Sequence, residues 1–249
     1  MKILLTNDDG IYSPGLSALW EALGEDHEIW TVAPDRERSA NSHCITIKDP
    51  VRFREIGERR FACGGTPADC VLFSCLGAIP VKPDLVVSGI NLGPNLGTDI
   101  IYSGTAAAAR QAALMKIPAL ALSQATFKAP FYFNRGAAWL KANLEALIKL
   151  WHPDHFININ VPNSIDGELD ARITHPSRRI YQDHLTHFDS PGGDKFYFLN
   201  GNMIEQDQDD DSDAEAVAAG FVSVSPVYLH PINHGEQAAY EREVFRKLL

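Results

Sequence analysis

Two adjacent acids, Asp8 and Asp9, end the apolar run that begins the chain, and Gly10 follows them. Like charges one residue apart stay ionised together at low cost only where water or a cation offsets their repulsion. Ser39 and Asn91 offer neutral oxygen donors from two other loops. Such a mixture of carboxylate, hydroxyl and amide oxygens suits a hard cation such as magnesium or manganese rather than zinc. Taken alone, an Asp-Asp-Gly sequence is equally well explained as a turn. A second candidate is Ser103-Gly104-Thr105, at the head of an alanine-rich segment. There a helix start would offer free N–H groups and the positive end of its dipole to an anion such as phosphate. The competing explanation is an ordinary N-cap with glycine for clearance. Between the two candidates runs the glycine- and asparagine-rich stretch Gly89 to Gly97, which carries Asn91 and Asn95. The Asn95 amide could donate to phosphoryl oxygens on which charge develops.

Those residues need a scaffold that gathers distant loops at one edge. Short apolar runs alternate with helical patterns over the first two thirds of the chain, the signature of an α/β fold with a doubly wound, mostly parallel sheet. Ile3 to Thr6 is entirely apolar or β-branched, as expected of a strand covered on both faces. Pro14 opens a helix ended by Gly24; Glu28 to Ala33 is the next strand, and residues 43–63 form a hairpin excursion. A helix runs from Thr66-Pro67 to Gly77, a strand from Leu85 to Ser88, a helix from Ser103 and a strand from Ala119 to Leu122. A helix over 133–150 and a strand at Phe156 to Asn160 complete a Rossmann-like core over 1–162. Residues 163–249 form a C-terminal β-arm or hairpin, a closing strand at Phe221 to Val227 and a terminal amphipathic helix over Gln237 to Leu249. In such open sheets ligands bind beyond the carboxyl ends of the strands, where strand order reverses. The loops holding Asp8 and Asp9, Ser39, and Asn91 and Asn95 all follow strands, so the fold would bring them to one edge.

Composition narrows the function. The chain has 249 residues, 45% hydrophobic and 22% charged, ordinary values for a globular protein. A formal net charge of −10 argues against binding long nucleic acids, though not against one phosphate beside a bound cation. The N-terminal apolar run is too short for a signal-peptide core, and no run approaches the ~20 apolar residues that span a bilayer. Cys44, Cys63, Cys70 and Cys75 lack zinc-type spacing and suit buried free thiols in a reducing cytoplasm. Among nine histidines, His152, His155, His184 and His187 fit surface or arm positions and His234 a linker; none has metal-ligand spacing. The acidic run Asp207 to Asp213 does not have the spacing of a calcium-binding loop.

A set of ordered motifs resembles the SurE family of survival-protein 5′/3′-nucleotidases along essentially the whole chain. They are Ile3 to Gly10, Ala33-Pro34-Asp35 through Arg38-Ser39, Gly65 to Val71, Ser88 to Asn91 with Asn95 and Gly97, Tyr102 to Thr105, Asn158 to Pro162 and Val222 to Val224. The resemblance implies one divalent ion per subunit at Asp8, Asp9, Ser39 and Asn91, and phosphate contacts at Asn95 and Ser103 to Thr105. It further implies a nucleoside monophosphate substrate and a homodimer, or a homotetramer, with a long arm and an exchanged C-terminal helix. Where the family often has glycine early and Glu-Gly later in the helix after Thr105, this chain reads Ala-Ala-Ala-Ala-Arg-Gln-Ala. The reading is then hydrolysis of a phosphomonoester, with short polyphosphate a further possible substrate, by a metal-activated water, with Asp8 or Asp9 orienting or deprotonating it. A rival is a magnesium-binding receiver-like signalling domain without turnover. That rival requires a phosphate-accepting aspartate where this chain has Ser88 and Gly89.

Overall fold

The computed structural model describes residues 1–206, 209, 211–230, 240 and 242. The linker at 231–235 with His234, most of the terminal helix expected over 237–249 and part of the acidic run lie outside the described residues.

The first strand, β1 (Lys2–Thr6), leads into α1 (Pro14–Gly24), β2 (Glu28–Pro34), and an antiparallel pair, β3 (Phe53–Gly57) and β4 (Arg60–Cys63). Then follow α2 (Pro67–Phe73), β5 (Leu85–Leu92), α3 (Gly104–Leu114), β6 (Ala119–Gln124), α4 (Phe133–Leu150) and β7 (His155–Val161). The remainder is β8 (Ala171–Ile173), the hairpin β9 (Arg179–Asp189) and β10 (Lys195–Gln206), α5 (Asp213–Ala218) and β11 (Val222–Tyr228). Nine strands make one mixed, mostly parallel sheet in the order β3-β4-β2-β1-β5-β6-β7-β11-β8, and β9 and β10 form a separate two-stranded sheet.

Period-2 alternation in β1 sorts the two faces of that sheet. Ile3 and Leu5 pack with Leu16, Leu19 and Leu23 of α1 and Leu140, Leu144 and Leu147 of α4. Leu4 faces Val71 of α2 and Ala106, Ala109 and Ala113 of α3. The run of small residues in α3 therefore lets that helix lie close on the sheet. β1 sits between β2 and β5, and the helices that follow β1 and β5 lie on opposite faces. This is the switch point of a doubly wound sheet, where the loops diverge and leave a crevice.

Two elements differ from the sequence expectation. The helix after Thr66 ends its α-helical part at Phe73 and continues as a π-helical turn, Ser74–Ala78, with Gly77 at φ 111°. The strand expected to stop at Ser88 continues to Leu92, with a register shift against β6 between Ser88 and Asn91. Such a bulge re-aims side chains at a sheet edge, and Asn91 lies just beyond it, paired with Ser123. The closing strand β11 pairs antiparallel with β7 and parallel with β8, so it belongs to the main sheet.

The start of α1 rests directly on β5. A Cβ at Gly15 would stand 2.1 Å from the carbonyl oxygen of Ile90. Gly15→Ala is expected to lower stability by ~1–3 kcal/mol or more, the usual cost of overpacking. A fall in the urea midpoint at unchanged slope checks this; an unshifted midpoint would show that α1 can move away at no cost.

Candidate active site

Asn7 shapes the turn that presents the two acids. Its side-chain oxygen accepts from Gly10 N (3.1 Å), and its amide donates to Gly10 O (3.0 Å) and Ser13 Oγ (2.6 Å). Gly10 supplies a φ of 103°, and Ser13 Oγ caps α1 by accepting from Leu16 N at 3.3 Å. Asp8 points into the protein and is only 4% exposed, whereas Asp9 is half-buried and borders a cleft.

Asp8 lies against the start of α3. Thr105 Oγ1 donates to Asp8 Oδ1 at 2.5 Å, and the Gly104 and Thr105 backbones also support its charged form. A Cβ on Gly104 would stand 2.8 Å from Asp8 Cβ and 3.0 Å from Pro67 Cγ, so glycine is what admits the carboxylate. Ser103 Oγ is the N-cap, accepting from Ala106 N at 3.0 Å. Thr105 thus spends its hydroxyl hydrogen on Asp8, Ser103 accepts as a cap and keeps its O–H to donate, and the positive end of α3 faces Asp8.

The other loops are tied to the same pair. Arg38 N donates to the Asp8 carbonyl at 2.7 Å, which places the Ser39 loop beside it, and Leu92 N donates to Asp9 Oδ2 at 3.2 Å, next to Asn91. Exposed Ser39 donates to Glu37 Oε1 at 3.0 Å and keeps its lone pairs available. Asn91 Nδ2 donates to Gly93 O at 2.8 Å, leaving Oδ1 as the unused end of its amide. Asn95 is buried and firmly held. Its N–H donates to Asn160 Oδ1 (2.8 Å), its carbonyl accepts from Asn158 Nδ2 (2.8 Å) and Asn160 Nδ2 (3.0 Å), and its Nδ2 donates to Ser123 Oγ (2.8 Å).

Several supporting residues escape the sequence reading. Asp69, expected simply at a helix start, is fully buried and straps the Ser39 loop: its carboxylate accepts from Thr46 N (2.8 Å), Thr46 Oγ1 (2.7 Å) and Thr66 N (2.9 Å). Ser42 secures the same loop through its N–H to Tyr102 O (3.0 Å) and its hydroxyl to Ile101 O (2.8 Å). Asn158 and Asn160 entered the sequence reading only as part of a family motif; as polar residues within an apolar strand they already signalled a polar partner, which proves to be Asn95. Arg36 borders the cleft, while Arg38 reaches Gly64 O at 2.9 Å. The four histidines assigned to surface or arm positions are away from the acidic pair: His152 and His155 stack on each other at 6.2 Å, and His184 and His187 lie on β9.

Burial decides the electrostatics. It raises the Asp8 carboxyl above its ordinary value, with the Thr105 hydroxyl opposing. Burial, then the charge of Asp8, pushes Asp9 up from 3.8 to about 7, with the Leu92 N–H opposing. The protein alone therefore supplies too little positive potential to hold both carboxylates ionised at neutral pH. Two carboxylates, a hydroxyl and an amide oxygen fit a hard divalent ion, and that ion would supply the missing charge. Among the described residues no group of three His, Cys, Asp or Glu side chains offers a competing metal site.

These features define a doubly wound α/β protein with its polar site at the switch point of the sheet. A family model described as survival protein SurE matches residues 3–183. A protein of Kosmotoga olearia named 5′-nucleotidase SurE is 41% identical over 250 residues, covering 98% of each chain. One of Geotalea uraniireducens with the same name is 41% identical over 244 residues, 97% of this chain and 98% of that one. The crystal structure of the SurE protein from Aquifex aeolicus superposes with a TM-score of 0.84 at 33% identity, covering 98% of this chain and all of that one. The chain belongs to the survival protein SurE family.

A carboxyl raised by folding stabilises the protein while protonated and loses that contribution once it must ionise. For Asp9 the contribution is full below about pH 4 and is lost as pH rises through about 7. In EDTA, stability is expected to fall across that window by on the order of a few kcal/mol, and magnesium or manganese should restore it above pH 7. Urea unfolding at several pH values measures the slope. Asp9→Asn should flatten it; an unchanged slope in that variant would assign the effect to another group.

Proposed function

We propose that this chain is a metal-dependent phosphomonoesterase that hydrolyses nucleoside 5′- and 3′-monophosphates to nucleoside and phosphate. Short polyphosphate is a further substrate in this reading. The observation that carries it is the buried Asp8 carboxylate, set against the α3 N-terminus beside a second acid that burial and Asp8 together hold near neutrality. Relatives named 5′-nucleotidase, similar over nearly the full chain, support the substrate class.

In this reading Asp8, Asp9, Ser39 and Asn91 hold one divalent ion per subunit, magnesium or manganese. When bound, such an ion polarises a phosphoryl oxygen and acidifies water. Asn95 uses one Nδ2 hydrogen on Ser123 and has the other to donate to a phosphoryl oxygen. The backbone at the start of α3, Ser103 to Thr105, adds its dipole on the same side. Thr105 fixes the rotamer of Asp8, and the more accessible Asp9 orients the attacking water and takes its proton. Preorganised groups of this kind must together lower a barrier by ~20 kcal/mol for so slow a reaction. The receiver-like alternative requires a phosphate-accepting aspartate at the position where β5 carries buried Ser88 and Gly89.

The four cysteines are free, which accords with a cytoplasmic enzyme, and among the described residues no helix is long and apolar enough to cross a membrane. The arm supports a homodimer or homotetramer in this reading. β9 and β10 expose Leu185, Phe188, Phe198 and Leu199, and a two-stranded hairpin alone in water is marginally stable.

Asp8→Asn is expected to reduce phosphate release by at least about a thousandfold while sparing the fold. A panel of phosphomonoesters assayed with magnesium, manganese and EDTA checks both parts. Near-normal turnover of Asp8→Asn at saturating metal, or undiminished activity in EDTA, would refute the mechanism. Light scattering should give two or four times the 27.4 kDa chain mass, and Leu199→Asp should lower it. A monomeric wild type would refute the assembly.

A further inference from the structure

A cleft of about 390 Å³ opens from Asp9 on the α1 side of the acidic pair, away from α3. That volume falls within the range of small-ligand sites. Its walls are unlike the rest of the site. Tyr12, 70% exposed, stands on the β1–α1 loop, and Phe131 and Phe133 lie stacked with ring centroids 5.8 Å apart. Phe133 is buried in the core at the start of α4 and backs Phe131, which is only partly covered. An exposed tyrosine and a supported phenylalanine lining one cleft give it two aromatic faces for a ligand.

The rim is polar and close to the chemistry. Glu37 accepts from Ser39 Oγ, and Asp35 is held by Arg52 at 2.8 Å. Both carboxylates border the cleft and have lone pairs left for hydroxyl donors. The acids, a carboxylate rim and an aromatic wall around one cleft match the three parts of a nucleotide: phosphate at the acids, sugar hydroxyls at the rim, base against the rings.

We propose that this cleft is the nucleoside subsite, with the base stacked on Tyr12 and Phe131 and the ribose hydroxyls at Glu37. The proposal rests on the nucleotidase reading and adds to it the residues that select a nucleotide over a simple phosphomonoester. Base-on-aromatic stacking is strong enough to set such a preference. Tyr12 and Phe131 are specificity residues here, since the phosphate and the acids are handled by other side chains.

The test compares adenosine 5′-monophosphate with ribose 5-phosphate, which keeps sugar and phosphate but lacks the base. The wild type is expected to show a KM for the nucleotide roughly tenfold lower. Tyr12→Ala and Phe131→Ala should raise the nucleotide KM toward that of ribose 5-phosphate, leaving kcat and the ribose 5-phosphate KM near their wild-type values. Tyr102→Ala serves as a contrast, because exposed Tyr102 precedes Ser103 on the α3 side of the acids. An unchanged nucleotide KM in both cleft variants would overturn the proposal, as would parallel rises for both substrates or an effect confined to Tyr102→Ala. Failure of the wild type to hydrolyse either compound would instead overturn the nucleotidase reading. Tyr12 is exposed enough that its replacement leaves the core intact, so misfolding of Phe131→Ala would still leave a decisive variant.

Discussion

Asp8 is where the two halves of the fold meet. It stands two residues beyond β1, its carbonyl receives Arg38 N, and its carboxylate takes the Thr105 hydroxyl beneath the start of α3. A carboxylate moved out of water is costly unless hydrogen bonds or opposite charge replace the lost solvation. Here a hydroxyl and the positive end of α3 replace part of it, and the remaining deficit shows as raised proton affinity in both acids. Much of the surrounding structure serves this one placement. Gly104 lacks a side chain because Asp8 occupies that space, and the alanines of α3 allow the helix close enough for Thr105 to reach.

The same constraint explains why the two acids differ. Asp8 faces α3 and accepts from Thr105 Oγ1, whereas Asp9 accepts one backbone N–H and faces the cleft. At a switch point the two sides of the sheet are occupied by different helices, and the turn after β1 sends one acid to each side. One acid is thereby anchored and the other presented. The division arises in the turn after β1 that Asn7 and Gly10 hold in place.

Much of this architecture was legible in local sequence. The unbroken apolar character of Ile3 to Leu5 announced a strand covered on both faces, and Ser103 before Gly-Thr-Ala-Ala announced a helix start. The family resemblance was equally visible in ordered motifs. Pairings between distant residues were not legible, because no period or propensity encodes them. Thr105 meets Asp8 from 97 positions away, and Thr46 meets Asp69 from 23. The continuation of β5 past Ser88 was hidden for a different reason: Gly89 weakens the local strand signal, and pairing of Asn91 and Leu92 with β6 overrides it. At the Ser103–Thr105 segment the motif announced the helix start but not the pairing of the Thr105 hydroxyl with Asp8.

The Asn95 loop shows that the site is not completed by the first 162 residues alone. From one side Asn158 and Asn160 of β7 grip the Asn95 backbone. From the other, Asp213 accepts from Gly97 N at 2.7 Å and from Ser177 N at 2.9 Å. At the base of the arm, Arg179 pairs with Asp99 at 2.7 Å and donates its backbone N–H to Thr98 Oγ1 at 3.0 Å, while Tyr181 OH donates to Asp99. A loop this rich in glycine loses much conformational entropy on ordering, and its own few residues make too few contacts to offset that loss. Bonds from Asp213 and Arg179 supply the difference, so residues late in the chain share in positioning Asn95. The exposed hairpin springs from the same anchor, which makes the base of the arm part of the support of the site.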